Sequence, residues 1–354
     1  RMLLCLHSPV SFDLDAYRRA HMVPGRDGIF GSETGQIGFW TASTHRGGIV
    51  LKNNGARLLL TRQGGFVFLP ADQEHDALVL DLRRQLSALP PGQPLRLAKS
   101  TSNLFRPRES SAMGRLDVTA FDGVLHVDPD TNTAEVLGMT TYEHLVQATL
   151  PYGLMPLCVP QLKTITLGGA VTGLGIESAS FRSGLPHESV IEMDILTGDG
   201  DVLTITPQAD DPHRDLFFGF PNSYGSLGYA LRLKIELEPT KPFVHLRHLR
   251  FDSAEAMTAA MTTISAAMEY DGTRVDFLDG TVFTPSEQYL TLGEMVSRLP
   301  AGMSISDYTG MDIYYRSIQE KSQDVVTIHD YLWRWDTDWF WCSRAFGAQK
   351  PAIR

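Results

Sequence analysis

The sequence holds little that would tie it to a metal, a bilayer or a nucleic acid. Its three cysteines, Cys5, Cys158 and Cys342, lie far apart and form no Cys-x-x-Cys pair. That argues against a zinc ribbon or a redox dithiol and reads as reduced, structural thiols. The eleven histidines include no His-Glu-x-x-His. His245 and His248, three apart in a stretch that reads as strand, should face opposite sides, so no metal site is expected. No run of 18 or more apolar residues occurs, so no segment reads as a bilayer span. The opening "RMLLCLHSPV" is broken too early, by His7 and Pro9, to read as a secretion signal. Basic charge is in short supply as well: a formal net charge of −10 argues against nucleic acid as the main partner. A chain that begins on Arg1 reads as a fragment of a longer one.

What is present is an ordinary globular composition, 43% hydrophobic and 20% charged over 354 residues, enough for two or three domains. "ARLLLTRQGGFVFLP" (56–70) suggests two short strands around a Gly-Gly turn. "DALVLDLRRQLSALPPG" (76–92) reads as an amphipathic helix carrying Leu78, Leu80, Leu82, Leu86 and Leu89 and ended by Pro90-Pro91. A strand runs into a polar loop at "LRLAKSTSNLF", and two strands flank an Asp-Pro-Asp turn in 118–138. A short helix capped by threonine and closed near Gly153 fits 140–156. A hairpin fits 190–207, and "YALRLKIEL" alternates as a strand. Around residue 240 the character changes: a new strand, then Asp252 and Glu255 as a capping box before a helix with Met257, Met261, Ile264 and Met268 on one stripe.

Between these elements lies "LGGAVTGLGIESASFRSG" (167–184), with five glycines, no proline and few helix formers. It spells neither Gly-x-Gly-x-x-Gly nor a Walker motif, because Gly173-Leu174-Gly175 is followed at the third place by Ser178. Such a run can bring successive amide N–H groups against an anion, with serine hydroxyls as further donors. It can equally be a glycine-rich turn between strands, and spelling alone does not choose.

Context does. "LAKSTSNLF" (97–105), "TLGGAVTGLGIESASFRSGLPHES" (166–189) and "YGSLGYA" (224–230) stand in the order found in FAD-binding domains of the vanillyl-alcohol-oxidase (PCMH) type, which this chain resembles over about residues 80–245. The longer stretches "PQLKTITLGGAVTGLGIESASFRSGLPHESV" and "DLFFGFPNSYGSLGYALRLKIELEP" are similar to Δ24-sterol reductases and to actinobacterial 10-methylene fatty acyl reductases. The resemblance implies an α+β fold: an unassigned segment 1–75, a two-subdomain FAD-binding domain 76–240, and a partial α/β cap or substrate domain 241–354 that the family continues beyond "AFGAQKPAIR". It implies Lys99, Ser100, Thr101, Ser102 and Asn103 at the pyrophosphate. It also implies Thr166, Gly168, Gly169, Leu174, Gly175, Ile176, Glu177, Ser178, Arg182, Ser183 and Gly184 along the flavin and its ribityl chain, and the Tyr229 backbone at the adenine. The first loop contains no histidine, so the FAD should be non-covalent.

The chemistry implied is reduction of a lipid C=C bond, in a methylene-branched acyl chain or a sterol side chain, with NADPH as the expected electron source and the flavin as hydride carrier. An alkene is a poor base, so an acid must supply the second hydrogen. "GLPHES" offers His187 and Glu188, although the plainer reading has His187 bonding backbone and Glu188 capping a turn; Tyr314 and Tyr315 are rivals. "YLWRWDTDWFWC" (331–342) gathers four of the five tryptophans. As a strand it would pair Trp333 with Trp335 and Trp339 with Trp341 on one face, as core packing or as a wall for a greasy substrate or membrane surface. The expected location is cytoplasmic, with a peripheral membrane contact as the variant. Two other readings stay open: an oxidase of the same fold that acts on an alcohol or sugar lactone with oxygen, and a flavin-binding fragment without turnover.

Overall fold

In the computed structural model, side chains are described for residues 75–90, 92–93, 95–99, 114–309 and 312–336, and regular backbone elements are assigned from residue 3 onward. Six strands, β1 (Leu3–Cys5), β2 (Gly28–Gly31), β3 (Ile37–His45), β4 (Gly48–Asn53), β5 (Ala56–Leu60) and β6 (Phe66–Leu69), pair in sequence order into one sheet. The two strands expected around Gly64-Gly65 are β5 and β6. Helix α1 (Ala71–Ser87) follows. Leu82 is fully buried against Leu116, Phe121, Leu137 and Leu231, and Leu78, Leu86 and Leu89 pack on the same cluster. Leu80 departs from the expected stripe and is exposed. At about 100° per residue it lies on the opposite side of the helix from Leu78 and Leu82.

Strands β7 (Leu95–Ala98) and β8 (Gly114–Asp117) run parallel. A larger sheet is then built from β9 (Val124–Asp128), β10 (Thr133–Leu137), β11 (Leu154–Pro156), β12 (Val190–Leu196), β13 (Val202–Ile205) and β14 (Tyr229–Pro239), in the order β13-β12-β14-β10-β9, with β11 on the far end of β14. Its hairpins sit where the turn residues put them. Helix α2 (Tyr142–Thr149) connects β10 to β11; the Thr141 side chain accepts the His144 N–H, and Gly153 closes the following 3-10 turn at φ 69°. β14 is the spine. Its outward Arg232 binds Asp194 (2.8 Å), Glu192 (2.5 Å) and Glu135 (3.2 Å), and His75 of α1 reaches Asp194 at 2.8 Å. Burial alone would raise the Asp194 carboxyl; the His75 and Arg232 hydrogen bonds outweigh it and hold the group well below the usual carboxylate range.

The glycine run does not stay irregular. Residues Leu167–Gly173 form a helix, α3, capped by Thr166, whose hydroxyl accepts the Gly169 N–H at 3.2 Å. Residues 167–173 are thus a short helix rather than a plain turn between strands. Helix propensity is poor here, and tertiary packing overrides it. Gly168 donates to the Gly138 carbonyl at 2.9 Å, and a Cβ on Gly168 would sit 2.7 Å from that oxygen. A single turn, α4 (Ser180–Ser183), and a 3-10 turn (Pro186–Ser189) lead into β12; α5 (Arg214–Gly219) precedes β14.

A second antiparallel sheet, β18-β19-β15-β20, is built from β15 (Phe243–Phe251), β18 (Phe277–Thr284), β19 (Glu287–Val296) and β20 (Gln323–Thr327), with a two-stranded ribbon β16–β17 (269–270 and 273–274) beside it. Helix α6 (Ala254–Ala267) covers one face through Ile264, Met257 and Met261, packed on Val275, Leu290 and Leu292. Its cap is Ser253, which accepts the Ala256 N–H, one residue later than expected. Met268 leaves the stripe: it is the left-handed C-cap and is exposed. In β15, His248 is buried and bonded to Thr291, while His245 bonds Gln323. Helices α7 (Tyr314–Glu320) and α8 (Ile328–Leu332) complete the unit. Trp333 is buried just after α8 and Trp335 lies in a turn, so the expected strand pairing fails for these two; Trp339 and Trp341 lie outside the described residues. Val244, Leu246, Phe277 and Trp333 of this unit share one hydrophobic cluster with Leu145, Leu167, Leu233 and Ile235 of the first.

Candidate functional site

The local structure changes character at the C-terminus of α3. Leu174 takes φ 54°, ψ 147°, a conformation that costs on the order of 1–3 kcal/mol for a non-glycine residue. Its side chain is exposed, and Ile176 is 81% exposed. At Gly175 the nearest atom to an added Cβ is Pro186 Cγ, 3.9 Å away. Among the described residues, the Gly175 and Ile176 amides have no hydrogen-bond acceptor.

A second unusual loop lies against the first. Tyr224 donates its N–H to the Thr172 carbonyl (3.1 Å) and its hydroxyl to the Gly173 carbonyl (3.1 Å). Asn222, Tyr224, Gly225 and Gly228 all have positive φ. Gly228 is required where it stands: at φ 127°, a Cβ would lie 2.3 Å from the Leu196 carbonyl oxygen. Tyr224 and Leu227 of this loop are exposed, as are Leu174 and Ile176 of the first. Two strained loops thus present bare amides and uncovered aliphatic and aromatic groups side by side. A flat heteroaromatic ligand with an anionic linker uses both kinds of surface. The residues present therefore fit FAD.

The remaining residues of the run have defined places. Arg182 donates to both oxygens of Glu238 at 2.8 Å, to the Asp276 carbonyl at 2.7 Å and to Ser183 Oγ at 3.0 Å, clamping the first sheet to the second unit. Ser178 accepts the Leu278 N–H on its carbonyl and meets Tyr331 through its hydroxyl at 3.0 Å. Gly184 has φ 74°. The Glu188 carboxylate accepts the Leu185 N–H at 2.7 Å and is otherwise exposed; His187 Nδ1 is buried without a partner. Tyr229 opens β14 half-buried, and burial pushes its phenol up. Lys99 is exposed at the end of β7, and Ser100, Thr101, Ser102 and Asn103 lie outside the described residues.

Glu177 faces inward, into a small cleft between the end of β11 and α8 that Gln161, Tyr331 and Arg334 also line. Its N–H donates to Ser180 Oγ at 3.0 Å, and its Oε1 accepts the Gln161 N–H at 3.3 Å. Burial pushes its carboxyl up to about 7, against the lowering effects of the Gln161 hydrogen bond and the Arg334 charge. Across the cleft, Arg334 is 3% exposed, donates to the Tyr331 carbonyl (2.7 Å) and Asp279 (2.5 Å), and lies over the Tyr331 ring at 3.8 Å. Sequence reasoning named Glu177 but missed Gln161, Asp279, Tyr331 and Arg334. The available signal was one cation inside the aromatic run "YLWRWD". Among the described residues no cluster of three His, Cys, Asp or Glu could hold a metal, and no helix is long and apolar enough to cross a membrane.

Comparison with known proteins agrees with this geometry. Residues 67–206 match the family model of the FAD binding domain, covering β6 through β13. The chain carries a PCMH-type FAD-binding domain, related to those of Δ24-sterol reductases. It is 24% identical over 207 residues to the Delta(24)-sterol reductase of Pisum sativum, covering 57% of this chain and 36% of that protein. The Delta(24)-sterol reductase of Homo sapiens is 28% identical over 183 residues (52% of this chain, 32% of that protein). Cytokinin dehydrogenase 3 of Arabidopsis thaliana is 31% identical over 168 residues (44% and 31%). The chain spans about a third of the length of these curated relatives.

Proposed function

We propose that this chain is the flavin-binding part of an FAD-dependent oxidoreductase that reduces a C=C bond of a lipid, a sterol side chain or a methylene-branched acyl chain, with NADPH as electron donor. The observation that carries the reading is the pair of strained loops at 173–176 and 222–228, the first inside the matched FAD-binding domain and with Gly175 and Ile176 amides that have no acceptor among the described residues. Lys99–Asn103 would hold the pyrophosphate, Leu174, Gly175 and Ile176 would lie along the flavin and its ribityl chain, and the Tyr229 backbone would meet the adenine. Bound there, the flavin supplies hydride transfer. The second unit, 241–354, acts as the cap over the substrate, and the absence of histidine in 97–105 leaves the cofactor non-covalent. His187 and Glu188 are one source for the proton the reduction needs. Location is cytoplasmic, with the exposed apolar surface as the place for a peripheral membrane contact.

The purified chain should be yellow, and acid precipitation should release the colour into the supernatant. NADPH under argon should bleach it, and an alkene lipid should restore the absorbance. A second reading keeps the same fold and has the flavin take electrons from an alcohol or sugar lactone and pass them to oxygen; similarity to a protein named as a dehydrogenase favours only the oxidising direction. That reading requires bleaching by such a substrate and none by NADPH. A colourless chain that stays colourless after dialysis against FAD overturns both.

A further inference from the structure

We propose that Tyr331 is a positioning residue for the flavin, acting across the junction of the two units through Ser178. The inference rests on the flavin-binding reading above and adds the group that keeps the flavin-facing loop in shape. Residues 174–176 are strung between two anchors. On the N-terminal side, the Thr172 and Gly173 carbonyls accept the N–H and the hydroxyl of Tyr224, both at 3.1 Å. On the C-terminal side, Ser178 is held by the second unit. Its carbonyl accepts the Leu278 N–H at 2.8 Å, and its hydroxyl accepts the Tyr331 hydroxyl at 3.0 Å. Between the anchors, the Gly175 and Ile176 amides have no acceptor among the described residues.

A span built this way needs its ends fixed. Leu174, at φ 54° and ψ 147°, sits in a conformation that a leucine keeps only where its surroundings over-determine it. Its side chain is exposed, so packing on the residue itself does little of the fixing, and the load falls on the flanking anchors. Glu177 adds bonds within the first unit, its N–H to Ser180 Oγ at 3.0 Å and its carboxylate to the Gln161 N–H at 3.3 Å. The side chain that the second unit brings to Ser178 is Tyr331.

Tyr331 suits the task. It is 1% exposed, its ring packs on Phe277 with centroids 4.4 Å apart, and the Arg334 guanidinium lies 3.8 Å from the ring centre. A ring gripped in this way aims its hydroxyl with little freedom. Burial pushes the phenol well up, so the hydroxyl keeps its proton and stays a donor. The second unit thereby sets the shape of a surface that belongs to the first.

The test is FAD binding by the full chain, with the dissociation constant read from flavin fluorescence and the visible spectrum recorded at saturating FAD. Y331F removes the hydroxyl and leaves the ring on Phe277 and Arg334. It should weaken FAD binding by about three- to tenfold, the worth of one hydrogen bond, and shift the visible band of the bound flavin. S178A should do the same, and the double variant should bind no more weakly than either single one. Wild-type affinity in Y331F overturns the proposal, as do losses that add in the double variant. A spectrum that superimposes on the wild type overturns it too, since a hydroxyl that only supports the fold leaves the bound flavin where it was. If Y331F does not fold, S178A decides by the same affinity and spectrum. A wild type that takes up no FAD overturns the flavin reading and this proposal with it, a result distinct from normal binding by the variants.

Discussion

Gly168 and Gly175 belong to one glycine run and use the same residue for opposite purposes. Gly168 is there because backbone must touch backbone: it approaches the Gly138 carbonyl so closely that a methyl group has no room. Gly175 faces open space, with Pro186 Cγ, 3.9 Å away, the nearest atom to a Cβ. The first is architecture and the second is an exposed peptide surface. A count of glycines could not distinguish them; the distances do.

The comparison can be broken at several points. The largest effect is expected at the wall opposite the open half. R334M strands Asp279 in a largely buried site and should destabilise by about 3–5 kcal/mol in denaturant unfolding. Next comes the pH dependence of Glu177. Its carboxyl is raised in the folded state, so its stabilising contribution is present below about pH 4.5 and is lost as pH rises through about 7. The difference between wild type and E177Q should therefore change by up to about 3 kcal/mol between pH 4.5 and 8. His248, pushed down to about 4 by burial, makes acid unfavourable in both proteins and cancels in that difference. In the packed half, G168A should cost about 1–3 kcal/mol by overpacking. L174G should relieve the positive φ and raise stability by about 1 kcal/mol. G175A should change stability by less than about 0.5 kcal/mol yet weaken FAD binding at least tenfold, read by flavin fluorescence on dilution. If G168A and G175A shift the unfolding midpoint equally, the division of the run is wrong.

What the sequence made legible was local. Thr141 and Gly153 bracket α2 because cap chemistry is decided within a few residues. The hairpins at 124–137 and 190–205 are set by their turns. What stayed hidden depends on distant partners. α3 exists because Thr166 caps it and β10 and β14 receive it, and no propensity scale contains Gly138 or Ala230. The cap of α6 fell on Ser253 rather than Asp252, since two adjacent residues can both satisfy the first turn and only the chain path chooses. Trp333 and Trp335 alternate as a strand would, but a short helix ahead of them sets their direction. The cleft joins residues from 155 to 334, which no short motif could bring together.

The cluster that runs from Leu233 and Ile235 to Val244 and Phe277, with Arg182 of the first unit donating to the Asp276 carbonyl of the second, gives the two sheets one shared apolar core. Prising the sheets apart would therefore strip Leu233, Ile235, Val244 and Phe277 of their apolar neighbours all at once, so the seam is held by the same hydrophobic burial that holds each sheet to itself.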